Sequence, residues 1–266
     1  MPSVSVIIPT WNRGHTIRKA IESALSQVSP VAEVLVCDDG STDNTAEVVT
    51  AIARHDSRLR WLPGERAGLP AIPRNRGIKE SRGEWLAFLD SDDTWEPNKI
   101  REQLEAAQRL GCLAACSNAL RLLPDGREAG LLLDWHRLIL TLSDLLSVNR
   151  VVCSSCIVHR SVLDRTGGFP ITNSFKAGED YALWLRVAAT TKFAYCPLPL
   201  VRYMDDPGES IRANQPLTPV QLEKLILSDL QQWLRALPEK FPGHRRVLIQ
   251  TWIARRRHAR KHKYRA

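Results

Sequence analysis

The sequence predicts an α/β fold built on a mostly parallel sheet flanked by helices, and two patterns carry that expectation. Short apolar or β-branched runs alternate with amphipathic helical stretches through roughly the first ninety residues. Three of the runs also end in polar or acidic residues, Pro9–Arg13, Asp38–Ser41 and Asp90–Asp93. Parallel α/β sheets bind their ligands at that carboxyl rim.

Ser3–Pro9 (SVSVIIP) is β-branched and apolar, which suits a first buried strand. In the stretch after it, Ile17, Ala20, Ile21, Ala24, Leu25 and Val28 recur at helical spacing and give one apolar stripe. Glu33–Cys37 is the second strand and runs straight into Asp38-Asp39-Gly40-Ser41. A helix over Asn44–Arg54 turns Val48, Val49, Ile52 and Ala53 inward, and Leu59–Leu62 is the third strand. A loop with Gly68, Pro70 and Pro73 leads to a basic segment, Arg74-Asn75-Arg76-Gly77, and Trp85–Leu89 is the fourth strand.

Beyond Pro97, Ile100, Leu104, Ala107 and Leu110 mark a helix, and Leu113–Leu123 reads as a strand closed by a turn. Residues 131–150 read as helical, Val151–Val158 as a strand, and Ser161–Thr166 as a short helix before Gly167-Gly168-Phe169. Glu179 and Asp180 then open a helix carrying Trp184, Leu185, Val187 and Ala188. Lys192–Cys196 and Leu200–Tyr203 close the sheet, and Pro219–Leu237 is an amphipathic helix. The expected division is 1–96 and 97–205 as halves of one domain, with 206–266 as a helical extension.

With 266 residues, 44% of them hydrophobic, the chain has enough material for a sizeable core. Net charge is +8, but nine cations and no acid lie from Arg245 to Ala266, so the rest is nearly neutral. No apolar run reaches the ~20 residues of a membrane span, and the N-terminus lacks a signal-peptide pattern, so a cytoplasmic location is expected. Cys153-x-x-Cys156 invites a zinc reading, but residues i and i+3 of a strand point to opposite faces. Buried, reduced thiols are the better expectation for the six cysteines.

The acidic run Asp90, Asp92, Asp93 reads in two ways. Carboxylates this close repel unless a cation neutralises them, and all-oxygen ligands favour Mg²⁺ or Mn²⁺. The other reading is a polar turn before the next helix, with Pro97 in its first turn. Glu179-Asp180, acids at a helix N-terminus, read as simple capping. Neither G-x-G-x-x-G nor G-x-x-x-x-G-K-[ST] is present, so a phosphate ligand must be held without those loops.

Taken together and in order, VSVIIPTWNR, VLVCDDGSTDNT, PRNRGI, GEWLAFLDSDDTWEPNKI, GGF and GEDYALWLR resemble the family 2 inverting glycosyltransferases of GT-A fold, over about Ser3 to Tyr203. The resemblance implies a metal-dependent, inverting transfer of a sugar from a nucleotide diphosphate, a UDP-sugar, to a glycan or lipid-linked acceptor. It implies that Pro9, Thr10, Asn12 and Arg13 line the nucleotide, and that Asp39 accepts from the uracil ring with Asp38 beside it. Arg74 would face the diphosphate, with Asn75 shaping that loop. Asp90 and Asp92, flanking Ser91, would be the D-x-D that holds ribose and Mn²⁺ or Mg²⁺, and Asp93 would share the metal. Asp180 would be the catalytic base. Two departures stand out: Trp11 replaces the commoner tyrosine, and Met204, Asp205 and Asp206 replace an arginine and histidine after Tyr203.

Three rival readings compete with this expectation. A silent nucleotide-sugar-binding module usually shows a broken D-x-D or a lost base, and both are intact. A sugar nucleotidyltransferase opens with a glycine-rich basic loop where this chain has PTWNRG. A nucleic-acid binder needs a basic face in the body, and none is evident, so nucleic acid is not an expected partner. The basic tail, with Val247, Leu248, Trp252 and Ile253 on one stripe, reads either as solvated or as a helix lying on the anionic inner face of a membrane.

Overall fold

A computed structural model of the chain describes residues 2–172, 177–209 and 216–237. The first half runs β1 (Val4–Thr10), α1 (Ile17–Leu25), β2 (Glu33–Asp38), α2 (Thr45–Ala53), β3 (Leu59–Leu62), α3 (Ala71–Glu80) and β4 (Trp85–Phe88). Then come β5 (Thr94–Trp95), α4 (Lys99–Leu110), β6 (Ala114–Leu122), β7 (Glu128–Leu131), β8 (Ile139–Leu140) and α5 (Leu142–Leu145). The chain continues with β9 (Ile157–His159), α6 (Arg160–Thr166), α7 (Glu179–Thr190), β10 (Phe193–Met204) and α8 (Pro219–Ala236).

All ten strands form one sheet, in the order β3-β2-β1-β4-β9-β6-β10-β5, with β7 on β6 and β8 on β10. The four strands of the first half pair in parallel, as βαβ crossovers require. β9 lies antiparallel between β4 and β6, so the sheet runs unbroken across the expected boundary at residue 96. Alternation along β1 sends Val4, Val6 and Ile8 to the layer under α1 and α4, and Ile7 to the layer under α3 and α7. α8 joins the second layer through Ile226, Leu227, Leu230 and Leu234, and is held to α7 by Arg186–Asp229 at 2.6 Å. Its start is fixed by a capping box between Thr218 and Gln221.

Gly77 sets how close α3 comes to the sheet. A Cβ there would lie 2.6 Å from Cγ2 of Ile7 and 2.8 Å from Sγ of Cys37. Only glycine lets the helix sit this near, which brings Arg74, one turn earlier, to the strand ends.

Three expectations change. Residues 131–150 are not one helix but β8, the four-residue α5 and connecting chain, because Asn118 brackets Leu133 through both its N–H and its C=O. The strand expected over Val151–Val158 shrinks to β9, since Cys153–Ser155 form a 3₁₀ turn. That turn removes the opposite-face argument about Cys153 and Cys156; burial instead pushes both thiols well above their ordinary pKa, so they stay protonated. The two closing strands are one, β10, which carries Pro197 and Pro199 through an irregular register. Asn173 to Lys176 and the tail from 238 lie outside the described residues, so the amphipathic tail expectation does too. Among the described residues no helix is long and apolar enough to cross a membrane.

Candidate active site

Four loops at the carboxyl rim are stitched together by side chains that the sequence motifs supply. After β1, Asn12 takes the left-handed conformation (φ 52°), which asparagine tolerates better than most residues. Its N–H donates to Ser41 Oγ at 2.8 Å, and its Oδ1 accepts the Thr42 N–H at 2.8 Å. The Arg13 N–H donates to Thr45 Oγ1 at 2.9 Å. Thr10 is buried at the last position of β1, following Pro9. Asp38 builds the turn after β2 by accepting the N–H groups of Gly40 and Ser41 at 3.1 and 2.9 Å.

Asp39 also holds the loop that leads into α3. It accepts the N–H groups of Ala67 and Gly68, each at 2.9 Å, and it pairs with Arg66, whose guanidinium lies 3.8 Å from the Trp11 ring centre. Three donors use three of about four acceptor positions on a carboxylate, so one remains. Trp11 itself is 45% exposed and presents a flat face at the rim.

Arg74 departs most from expectation. It sits on α3 rather than in a loop, is 6% exposed, and is held between two carboxylates instead of facing outward to a diphosphate. It donates to Glu179 at 2.6 Å and to Asp90 at 2.7 Å. The physical reason is burial: a guanidinium inside the protein needs carboxylates, and motifs 16 and 105 residues away provide them. Asn75 likewise shapes a different loop. Its side chain donates to the Phe169 C=O and accepts the Phe169 N–H, both at 2.8 Å, fixing the Gly167-Gly168-Phe169 turn.

The acidic run splits by direction. Asp93 is 1% exposed and points inward, where one oxygen accepts the Met204 N–H at 2.8 Å and the other the Ser154 hydroxyl. Burial and the nearby Asp92 and Asp90 push its carboxyl well above the usual range. With one protein donor on each oxygen, Asp93 anchors the turn from inside. Ser154 also receives the Asp90 N–H at 3.0 Å, and its carbonyl accepts from Trp95 Nε1 at 2.7 Å. Ser91 is buried between the two outward acids. Asp92 faces the rim, 3.9 Å from Arg13, and burial with the charge of Asp90 pushes it up to about 6.

Asp180 lies in the first turn of α7, after Gly178 in the left-handed region at φ 99°. One of its oxygens accepts its neighbour's N–H, that of Tyr181, at 2.7 Å. Glu179 is 4% exposed, and burial pushes it up to about 7 against the pull of Arg74. Its Oε2 has no hydrogen-bond partner among the described residues. The chain Asp90–Arg74–Glu179 thus ties the acid run directly to the residue before Asp180. Sequence reasoning missed Ser154 because it was read as part of a strand, and missed Glu179's role because a cap explains an acid at that position equally well. From the segment after β10, Glu209 pairs with Arg13, while Asp205 pairs with Arg121 at 3.2 Å.

The glycosyl transferase family 2 model matches residues 5–167, which is more than half of the chain and includes the first three rim loops and the acidic run. The chain belongs to family 2 of the glycosyltransferases. This glycosyltransferase is 33% identical over 184 residues to WfgD of Escherichia coli, a UDP-Glc:α-D-GlcNAc-diphosphoundecaprenol β-1,3-glucosyltransferase, covering 69% of each chain. It is 41% identical over 128 residues to the succinoglycan biosynthesis protein ExoO of Rhizobium meliloti (strain 1021), covering 48% of this chain and 36% of that one. Among solved structures, residues 1–349 of S. aureus TarS in complex with UDP-GlcNAc align with a TM-score of 0.72 at 18% identity, over 95% of this chain and 72% of that one. That likeness gives the glycosyltransferase the GT-A fold expected of it.

Proposed function

We propose that this glycosyltransferase moves a sugar from a UDP-sugar to a hydroxyl of a short saccharide carried on a lipid diphosphate, with inversion and with help from Mn²⁺ or Mg²⁺. The observation that carries the reading is the Asp90–Arg74–Glu179 chain, which ties the acid run after β4 to the residue before Asp180. The name of WfgD, similar over more than two thirds of both chains, supports the donor and acceptor classes. TarS, crystallised with UDP-GlcNAc, supports a rim that accommodates a nucleotide sugar.

The residues present fit a hard divalent cation. Asp92 is a rim-facing carboxylate destabilised by burial and by Asp90, with Arg13 as its nearest cation at 3.9 Å, beyond hydrogen-bond range. Among the described residues no three His, Cys, Asp or Glu side chains cluster to make a complete site. One or two carboxylates, completed by substrate phosphates, is how Mg²⁺ and Mn²⁺ are usually held. Asp92, with Asp90 beside it, would hold the ion, whose chemistry there is to neutralise a departing diphosphate as a Lewis acid.

The chain's own residues do the rest in this reading. Asp39 receives the uracil N–H on its spare acceptor position, while Trp11 and the Thr10–Arg13 turn border the nucleotide. Arg74 holds Asp90 and Glu179 in place by donating to both. Asp180 takes the proton of the acceptor hydroxyl as it attacks the anomeric carbon, a step worth typically 10²–10⁴-fold. A single base placed opposite the leaving group gives one displacement and therefore inversion.

The test is a panel of UDP-sugars with Mn²⁺ and a synthetic saccharide-diphosphate-alkyl acceptor, followed by UDP release and by the anomeric configuration of the product. Transfer with inverted configuration and loss of activity in EDTA are expected. UDP binding with no transfer to any acceptor of this class would identify a silent nucleotide-sugar-binding protein instead.

A further inference from the structure

Two arginine guanidiniums lie over the ring of Trp135, which packs against the same apolar cluster as Tyr181, the residue after Asp180. The Trp135 ring centre is 4.2 Å from the Arg137 guanidinium and 4.6 Å from that of Arg150. Two like charges flanking one indole repel each other, and only one of them is neutralised: Arg137 pairs with Asp144. No acid faces Arg150 among the described residues. Two buried N–H groups of the stack, Trp135 Nε1 and Arg150 Nε, have no acceptor in the described structure. Trp135 Nε1 and Arg150 Nε therefore offer donors with no acceptor among the described residues, beside the guanidinium charge of Arg150, which is the chemistry of a place for an oxyanion.

Its position is set by contacts at three points. Asn118 of β6 fixes the Leu133 backbone, the Leu138 C=O accepts the Tyr195 N–H of β10 at 2.8 Å, and the Leu145 C=O accepts the hydroxyl of Tyr181. Tyr181 follows Asp180 directly, and it packs with Trp135 against one apolar cluster. Arg150 is three residues before Cys153, at most about 10 Å of chain, and Cys153 begins the turn in which Ser154 holds Asp90. β6 is two strand positions from β4, roughly 10 Å. The stack thus borders the active site from the half of the sheet opposite the nucleotide loops, within reach of a short saccharide whose hydroxyl meets Asp180. Leu138 and Val148, beside these arginines in sequence, are each 47% exposed and give the border an apolar edge.

We infer that Trp135, Arg150 and Arg137 form the subsite for the acceptor's diphosphate, with Arg150 as its main charge. Planar guanidiniums pair with phosphate oxygens two at a time, and both lie close over the indole ring. Assigning this diphosphate to the acceptor rests on the function proposed above; the anion subsite itself is read from the three side chains.

The test measures binding of butyl diphosphate to the full chain by calorimetry, with and without saturating UDP and Mn²⁺ to fill the donor site. Wild-type protein is expected to bind it even with UDP present. Arg150→Gln and Trp135→Leu are each expected to weaken it about tenfold, and Arg137→Gln, whose charge Asp144 already balances, less. In turnover, the ratio of kcat/KM for a diphosphate-linked acceptor to that for a phosphate-free alkyl glycoside should fall about tenfold in Arg150→Gln. A folded Arg150→Gln protein that binds butyl diphosphate like the wild type overturns the subsite, leaving the stack a structural feature. Binding that vanishes when UDP is added also overturns it, because the anion then belongs to the donor site. If the binding differences hold but no diphosphate-linked acceptor is used, the subsite stands and the proposed acceptor falls.

Discussion

Arg74 joins two distant parts of the candidate site, because it is buried and pairs with both Asp90 and Glu179. Arg74→Met leaves two carboxylates in a poorly solvated place without compensation. Breaking a buried pair in this way costs about 3–5 kcal/mol, and chemical denaturation of the variant should show a loss on that scale. Arg74→Lys should recover little, since a single ammonium lacks the fork that spans both acids. A loss under roughly 1 kcal/mol would mean the network is not what holds these loops. Asp180 makes the complementary case. Asp180→Asn keeps the size and the contact with Tyr181 but cannot accept a proton, so transfer should fall by at least about 10² while UDP affinity stays near wild type. Wild-type turnover in that variant removes Asp180 from the role of base.

At the scale of elements, α4 carries a residue that no sequence pattern marks as unusual. Lys99 opens the helix fully buried, with its Nζ 2.7 Å from Gln103 Oε1 and 4.0 Å from the Trp95 ring centre. Burial pulls its pKa from 10.5 down to about 7. Its contribution to stability is therefore complete above the unfolded value of 10.5 and is lost as pH falls through about 7. Wild-type stability should rise with pH between those limits relative to Lys99→Met, at up to ~1.4 kcal/mol per unit. Urea unfolding of both proteins at several pH values in this window reads the slope; parallel curves would show that Lys99 stays charged against Trp95. The short α3 makes its own point. It can carry Arg74 to the strand ends because Gly77 allows close packing, and Asn75 uses the next position to pin the Phe169 turn.

For the whole molecule, the sheet places the loops after β1, β2 and β4 on one half and the first turn of α7 on the other, so a donor bound as proposed should brace both. UDP with Mn²⁺ at about 100 times Kd adds roughly 2.7 kcal/mol of stability, which corresponds to a Tm rise of several degrees. Asp92→Ala should lose most of the Mn²⁺-dependent part, read by thermal unfolding with UDP in Mn²⁺ or in EDTA. An equal rise in both conditions would place the metal elsewhere or dispense with it. The sequence by itself determined much of this protein. The alternation of strand and helix through β4, the outward acids at strand ends and the glycosyltransferase family were all legible, because they depend on local periodicity and on short motifs. What only the tertiary structure decided involves partners far apart in the chain. Asp93 turns inward because Ser154 and the Met204 N–H, 61 and 111 residues away, take its oxygens. Arg74 bridges instead of facing outward because α7 brings Glu179 to it, and 131–150 abandons its helix because Asn118 captures Leu133. Local propensity cannot report such choices, since a buried polar group takes whichever partner the folded chain brings within hydrogen-bond distance.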